Sequence, residues 1–183
     1  MIENLKPVLI HEFKPFVDAR GTFQKIFRSD SLAKKGFTGT FRESFISFSK
    51  PNVLRGMHFQ LPPHDHWKLV NCVKGKVLDV CVNLRQGESY GAVHAFELSE
   101  QAGHSLLIPP GYAHGFLTQG SEEAGILYLT STEHHPEYDA GIRWDSFGYQ
   151  WPNSSDIVLS DRDRAFPAMD DFASPWQETE SSQ

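Results

Sequence analysis

Along "KVLDVCVNL", from Lys76 to Leu84, side-chain character alternates with a period of two. Successive side chains of a strand point to opposite faces, so Val77, Asp79, Cys81 and Asn83 share one face and Leu78, Val80, Val82 and Leu84 the other. The second face is wholly apolar. The first presents Asp79 and Asn83, which suits a barrel with a polar lumen. Further short apolar, β-branched and aromatic runs follow the same habit: "GTFQKIF", "GTFRESFISF", "WKLVNCV", "AVHAFELS", "SLLIP", "HGFLTQ" and "GILYLTST". Glycines and prolines separate them at about 8–12 residues, the rhythm of an all-β sandwich or barrel. Helix signals are few. "SDSLAKKGF" offers a cap at Ser29 or Asp30 and a stop at Gly36, and "LSDRDRAF" from Leu159 reads as a short turn or helix. The ending "SPWQETESSQ" is polar and reads as frayed. One domain is expected over 1–170, with a polar tail over 171–183.

Composition narrows the class. Hydrophobic residues make up 39% of the 183 and charged residues 22%, enough for one packed core. No apolar run reaches the ~18 residues of a membrane span, and "MIENLKPVLIHEF" lacks the pattern of a signal peptide. Cys72 and Cys81 lie in apolar runs and read as buried free thiols. A cytoplasmic protein is the expectation. The net charge of −6 disfavours nucleic acid, which requires a broad basic face. A small anionic ligand requires only a few local arginines.

The chemistry concentrates in "NVLRGMHFQLPPHDHWKLV", Asn52 to Val70, with three histidines, an arginine and a lysine in a strand-like stretch. Such groups hold a metal, move protons near an anionic ligand, or decorate a polar surface. "GHSLLIPPGYAHGFLT" fits the second cupin motif through Gly103, Pro109, Gly111 and His114, with Thr118 where asparagine is usual. This motif predicts a cupin-like jelly roll with short flanking helices. A metal-dependent isomerase or dioxygenase using His64, His66 and His114 is therefore one reading. It lacks a carboxylate: Val70 and Asn71 stand where glutamate would follow the histidine pair.

The order and spacing of "DARGTF", "NVLRGMHFQ", "KLV", "GYAHGF", "ILYLTS", "GIRWD" and "LSDRD" resemble the nucleotide-sugar 3,5-epimerases over roughly residues 5 to 167. The resemblance implies metal-free acid–base chemistry without a cofactor. A 4-keto sugar has weakly acidic hydrogens at C3 and C5, because the carbonyl delocalises the resulting carbanion as an enolate. Inversion needs a base on one face, an acid on the other and a donor near O4. The family pattern implies His58 as the base, Asp163 as its partner, Tyr128 as the acid and Lys68 as the cation beside the enolate. Asp79 and His114 match polar groups lining the pocket. Arg20 and Arg55 match diphosphate-binding arginines. A homodimer is also implied, since in that family the Arg-Gly strand can serve a neighbouring subunit's site. A non-catalytic sugar-nucleotide module is a third reading, against which the intact His58, Tyr128 and Asp163 argue.

Positions matching base contacts depart from the family. Lys25 replaces a glutamate, Glu43 and Phe45 replace a glutamine and an asparagine, and Glu133 and His134 stand where a tyrosine pair is usual. Glu43 is an acceptor, which suits an exocyclic amino group. The substitutions therefore predict cytidine or guanosine in preference to thymidine. The sequence leaves open whether C3, C5 or both are inverted, and the pathway served.

Overall fold

The computed structural model describes residues 5–12 and 14–178. Two five-stranded antiparallel sheets face each other as a cupin-like jelly roll. The first has the order β1 (Val8–Ile10), β9 (Ser105–Ile108), β6 (Lys68–Lys74), β11 (Ala124–Thr130) and β4 (Glu43–Ser49). The second has the order β12 (Asp139–Gly141), β5 (Leu54–Gln60), β10 (Tyr112–Gln119), β7 (Lys76–Asn83) and β8 (Val93–Ser99). A small hairpin, β2 (Phe16–Asp18) with β3 (Gly21–Phe23), forms a separate two-stranded ribbon. None of the described helices is long and apolar enough to cross a membrane.

The alternation in β7 sorts its side chains as the pattern requires. Val77 and Cys81 pack inward with Val70, Leu106, Phe116 and Ile126 between the sheets. Val80, Val82 and Leu84 pack with Leu54, Met57, Ile142 and Trp151 in a second cluster. Both cysteines are free and buried.

Two expectations need correction. The helix near Ser29 is α1 (Ser29–Ala33); its N-cap is Arg28, and neither Ser29 nor Asp30 caps it. The Asp30 carboxylate instead accepts from the Arg28 guanidinium and from the adjacent Ser31 amide, each at 3.0 Å. Gly36 does end the turn, at φ 93°. Its amide bonds Ala33 O at 3.1 Å and the Phe37 amide bonds Leu32 O at 3.1 Å, a Schellman closure. The second correction concerns the tail. Trp176 is 7% exposed within the core cluster of Leu84 and Phe59. The Gln86 amide bonds Trp176 O at 2.9 Å and the Glu178 amide bonds Gln86 O at 2.8 Å. The packed unit therefore runs to residue 178, because one tryptophan buries enough apolar surface to hold a polar segment down. Residues 179–183 lie outside the described residues.

Candidate active site

The site lies between the sheets, in a cavity of about 350 Å³. Strand β5 supplies four of its lining residues, Arg55, His58, Phe59 and Gln60, through an irregularity. Opposite β10, His58 pairs with His114 and Arg55 with Phe116, so β5 spends three steps where β10 spends two. The extra residue reverses the in–out phase, as a β-bulge does. Arg55 and His58 are an odd number apart, yet both line the cavity, with Gln60 beyond them. Gly56 permits this: its φ is +146°, and a Cβ there would lie 2.5 Å from Gly115 Cα.

His58 and Asp163 meet across the site. Asp163 sits in α2 (Asp161–Ala165), which Ser160 caps by accepting the Asp163 amide at 3.0 Å. His58 Nε2 is 2.8 Å from Asp163 Oδ1, and the Gly56 amide donates to Oδ2 at 3.2 Å. Burial opposes the charge of Asp163, but the bonds from His58 and Gly56 outweigh it and hold its carboxyl below the usual range. With Nε2 donating to the carboxylate, Nδ1 is left as the basic atom.

The facing sheet carries Tyr128 on β11 and Lys68 on β6. Thr130 pairs with Lys68 and Tyr128 with Val70, so Lys68 and Tyr128 point to the same side. Burial raises the Tyr128 phenol and lowers the Lys68 ammonium, the latter against the attraction of Asp79. Tyr128 stacks on Phe45 at 4.7 Å between ring centroids. A second histidine–aspartate pair lies beside the first: His114 Nε2 is 2.8 Å from Asp79 Oδ2, both fully interior. Burial lowers the His114 imidazole, although Asp79 pulls the other way.

Arg55 stands at the rim, its Nε donating to Ser49 Oγ at 2.8 Å. Other residues also stand at the rim. Arg162 of α2 lines the cavity and donates to Asp139 at 2.7 Å. Ser47 also lines it, beside Tyr128. A signal for Arg162 was present: it directly precedes Asp163 in "LSDRD".

Other expected residues fall elsewhere. Arg20 pairs with Asp18 at 2.6 Å in the β2–β3 turn, its side chain 86% exposed. Lys25 is exposed after the same hairpin. Neither lines this chain's own cavity, because the hairpin is a ribbon apart from both sheets. Glu133 is exposed; its carbonyl accepts from Gln60 at 3.2 Å while its side chain stays outside. Glu43, Phe45 and His134 do line the cavity. Glu43 Oε2 accepts the His134 amide at 2.6 Å, which leaves Oε1 to face the cavity.

His64, His66 and His114 do not converge as a ligand set. His64 stacks on His135 with ring centroids 3.5 Å apart, and His66 Nδ1 sits 3.2 Å from both Gln60 Nε2 and Thr132 Oγ1. His114 is bound to Asp79. Among the described residues no group of three histidines, cysteines or carboxylates is placed to hold a metal.

Residues 3–171 match the family model described as dTDP-4-dehydrorhamnose 3,5-epimerase. The chain is 34% identical over 160 residues to the dTDP-4-dehydrorhamnose 3,5-epimerase of Sinorhizobium fredii, covering 85% of this chain and 82% of the relative. It is 37% identical over 173 residues to that of Escherichia coli K12, covering 92% and 93%. Among solved structures, it superposes on a Legionella pneumophila dTDP-6-deoxy-D-glucose-3,5-epimerase in complex with dTDP-4-keto-L-rhamnose. That match has a TM-score of 0.87 and 28% identity, covering 96% of this chain and 94% of the other.

Proposed function

The chain belongs to the dTDP-4-dehydrorhamnose 3,5-epimerase family, and from that premise we propose a reaction for the cavity described above. The protein is an isomerase of a nucleotide-diphospho-4-keto-6-deoxy sugar. The sugar ring occupies the space between His58 on one sheet and Tyr128 on the other. His58 Nδ1 removes the proton α to the ketone, and the imidazolium that forms is stabilised by Asp163. The electron pair moves onto O4 as an enolate, where Lys68 offers a cation and His114 a further polar group. Tyr128 returns a proton to the carbon from the opposite face; solvent then re-protonates the phenolate and takes up the proton from the His58 imidazolium. The sum is inversion at carbon, with no electron transferred. The observation that carries this reading is that His58, bonded to Asp163 of α2, and Tyr128 with Lys68 stand on facing sheets around one cavity.

The nucleotide is best read as thymidine diphosphate. The expectation of cytidine or guanosine rests on Glu43 alone, one oxygen of which also holds the His134 amide. The relatives described above are named for dTDP sugars. Phe45, 44% exposed on the cavity side of β4, offers an aromatic surface. Arg55 and Arg162 at the rim suit diphosphate oxygens.

A homodimer is part of the proposal. Phe16, Val17 and Phe23 of the hairpin are 60%, 70% and 68% exposed, and Ile46 and Phe48 of edge strand β4 are 49% and 51% exposed. Apolar surface of this kind marks an interface. Pairing it between two copies would bring Arg20 and Lys25 towards the neighbour's cavity. The product serves deoxysugar and polysaccharide synthesis in the cytoplasm.

Incubating chelator-treated protein with dTDP-4-keto-6-deoxyglucose and following the ring protons by NMR tests this. Inversion at C3 or C5 is expected. No inversion with the ketosugar, or inversion restored only by an added metal, contradicts it.

A further inference from the structure

Phe45 and Tyr128 are direct cross-strand partners in the pairing of β4 with β11. Such partners share one face of a sheet, here the face that lines the cavity. Their rings lie within 20° of parallel, with centroids 4.7 Å apart, a stacked pair. Tyr128 is 6% exposed and Phe45 44%, so Phe45 covers one face of the Tyr128 ring and takes the solvent contact itself. The next aromatic, His114, meets the Tyr128 ring edge-on with centroids 6.4 Å apart. Ser44 Oγ also donates to Tyr128 O at 3.0 Å. Strand β4 therefore holds both the backbone and the ring of Tyr128. Position 45 is one where the family pattern has asparagine, which has no ring to stack.

We propose that Phe45 is a positioning residue for the acid, its ring holding the Tyr128 phenol towards the carbon that His58 deprotonates. The assignment rests on the epimerase reading and deepens it. Once the enolate has formed, its carbon has two sources of a proton. Return from the His58 imidazolium restores the starting configuration, and delivery from Tyr128 inverts it. In either case the enolate pair forms the new C–H bond and the ketone is restored. The division between the two depends on how well the phenol is aimed, because misplaced reacting groups lose rate steeply. A phenol at a cavity wall needs one face held while its hydroxyl stays open to the sugar, and the stack supplies that hold. A base resting against the other face of Phe45 changes how tightly substrate is held. It does not change the division, which takes place on sugar already bound.

The test compares wild type, Phe45→Leu, Phe45→Ile and Phe45→Tyr in D₂O with saturating dTDP-4-keto-6-deoxyglucose, sampled early and read by NMR. The quantity is the ratio of inverted, deuterated sugar to deuterated sugar of unchanged configuration. Phe45→Leu and Phe45→Ile are expected to lower this ratio about three- to tenfold, the scale of a lost aromatic pair, while deuterium still enters through His58. Two aliphatic variants keep the ratio measurable if one of them folds poorly. Phe45→Tyr retains a ring and is expected to retain the wild-type ratio. A wild-type ratio in the aliphatic variants overturns the assignment, because it leaves Phe45 with no part in aiming the acid. So does a tyrosine variant with a ratio as low as theirs. If the wild type itself shows neither exchange nor inversion, the epimerase reading falls, and the role of Phe45 with it.

Discussion

His58 and Asp163, 105 residues apart in sequence, meet at 2.8 Å because a bulge in β5 turns the histidine inward while a Ser160-capped turn of helix presents the aspartate. The carboxylate bond fixes which imidazole nitrogen is basic. Asp163→Asn keeps the shape but can donate to Nε2, which favours the wrong tautomer. Epimerisation by this variant should fall by about 10²-fold or more, the scale of general-base catalysis, with substrate affinity little changed. Steady-state kinetics checks this. A normal kcat for Asp163→Asn contradicts the dyad.

Tyr128 should separate proton removal from inversion. Tyr128→Phe retains the ring stacked on Phe45 but loses the only part able to donate a proton. Deuterium should still wash into the substrate through His58, while product of inverted configuration fails to accumulate. Inversion at the wild-type rate would remove the phenol from the mechanism.

Acid should destabilise the fold through buried imidazoles. The His66 pKa lies at about 3 in the folded chain and near 6.5 when unfolded. As the pH drops through 6.5 the unfolded chain takes up a proton that the folded chain refuses, so stability falls with acidification across that window. A fully linked group gives a slope of about 1.4 kcal/mol per pH unit. His114, also lowered, acts in the same sense. Asp163, held below 3.8, costs stability only below that value, when its carboxylate is protonated. Urea unfolding of wild type and His66→Gln between pH 6.5 and 4 should show a shallower dependence in the variant. Equal slopes contradict a neutral, buried His66.

The exposed hairpin predicts a subunit exchange of residues. Light scattering should give twice the 20.7 kDa chain mass. Arg20→Ala should raise KM with little change in kcat, since the proposed dimer sets it at the neighbour's diphosphate rather than at carbon. A monomer, or an Arg20→Ala enzyme with unaltered KM, contradicts the shared site.

The fold was legible wherever burial follows a simple period. "KVLDVCVNL" sorted its two faces correctly because β7 is central and both faces are covered. Short edge pieces such as β1, β2 and β12 escaped notice, since three residues carry no period and their pairing depends on partners far along the chain. Trp176 escaped because the polar residues around it dominate any local reading, whereas its burial is decided by a groove elsewhere. The motifs single out His58, Lys68, Tyr128 and Asp163 as candidates, yet the bulge that brings Arg55 and His58 to one face is not legible in them. A bulge is a property of pairing between β5 and β10, and no single strand encodes it. The Glu43 contact is illegible for the same reason: its partner is a backbone amide ninety-one residues away.

Deuterium exchange at C3 and C5 of dTDP-4-keto-6-deoxyglucose by wild type and His58→Ala tests the central claim most directly, with dTDP binding measured on both. Exchange by the wild type, its loss by about 10²-fold or more in His58→Ala, and unchanged dTDP affinity are the predicted result. Exchange persisting at the wild-type rate in His58→Ala would contradict it.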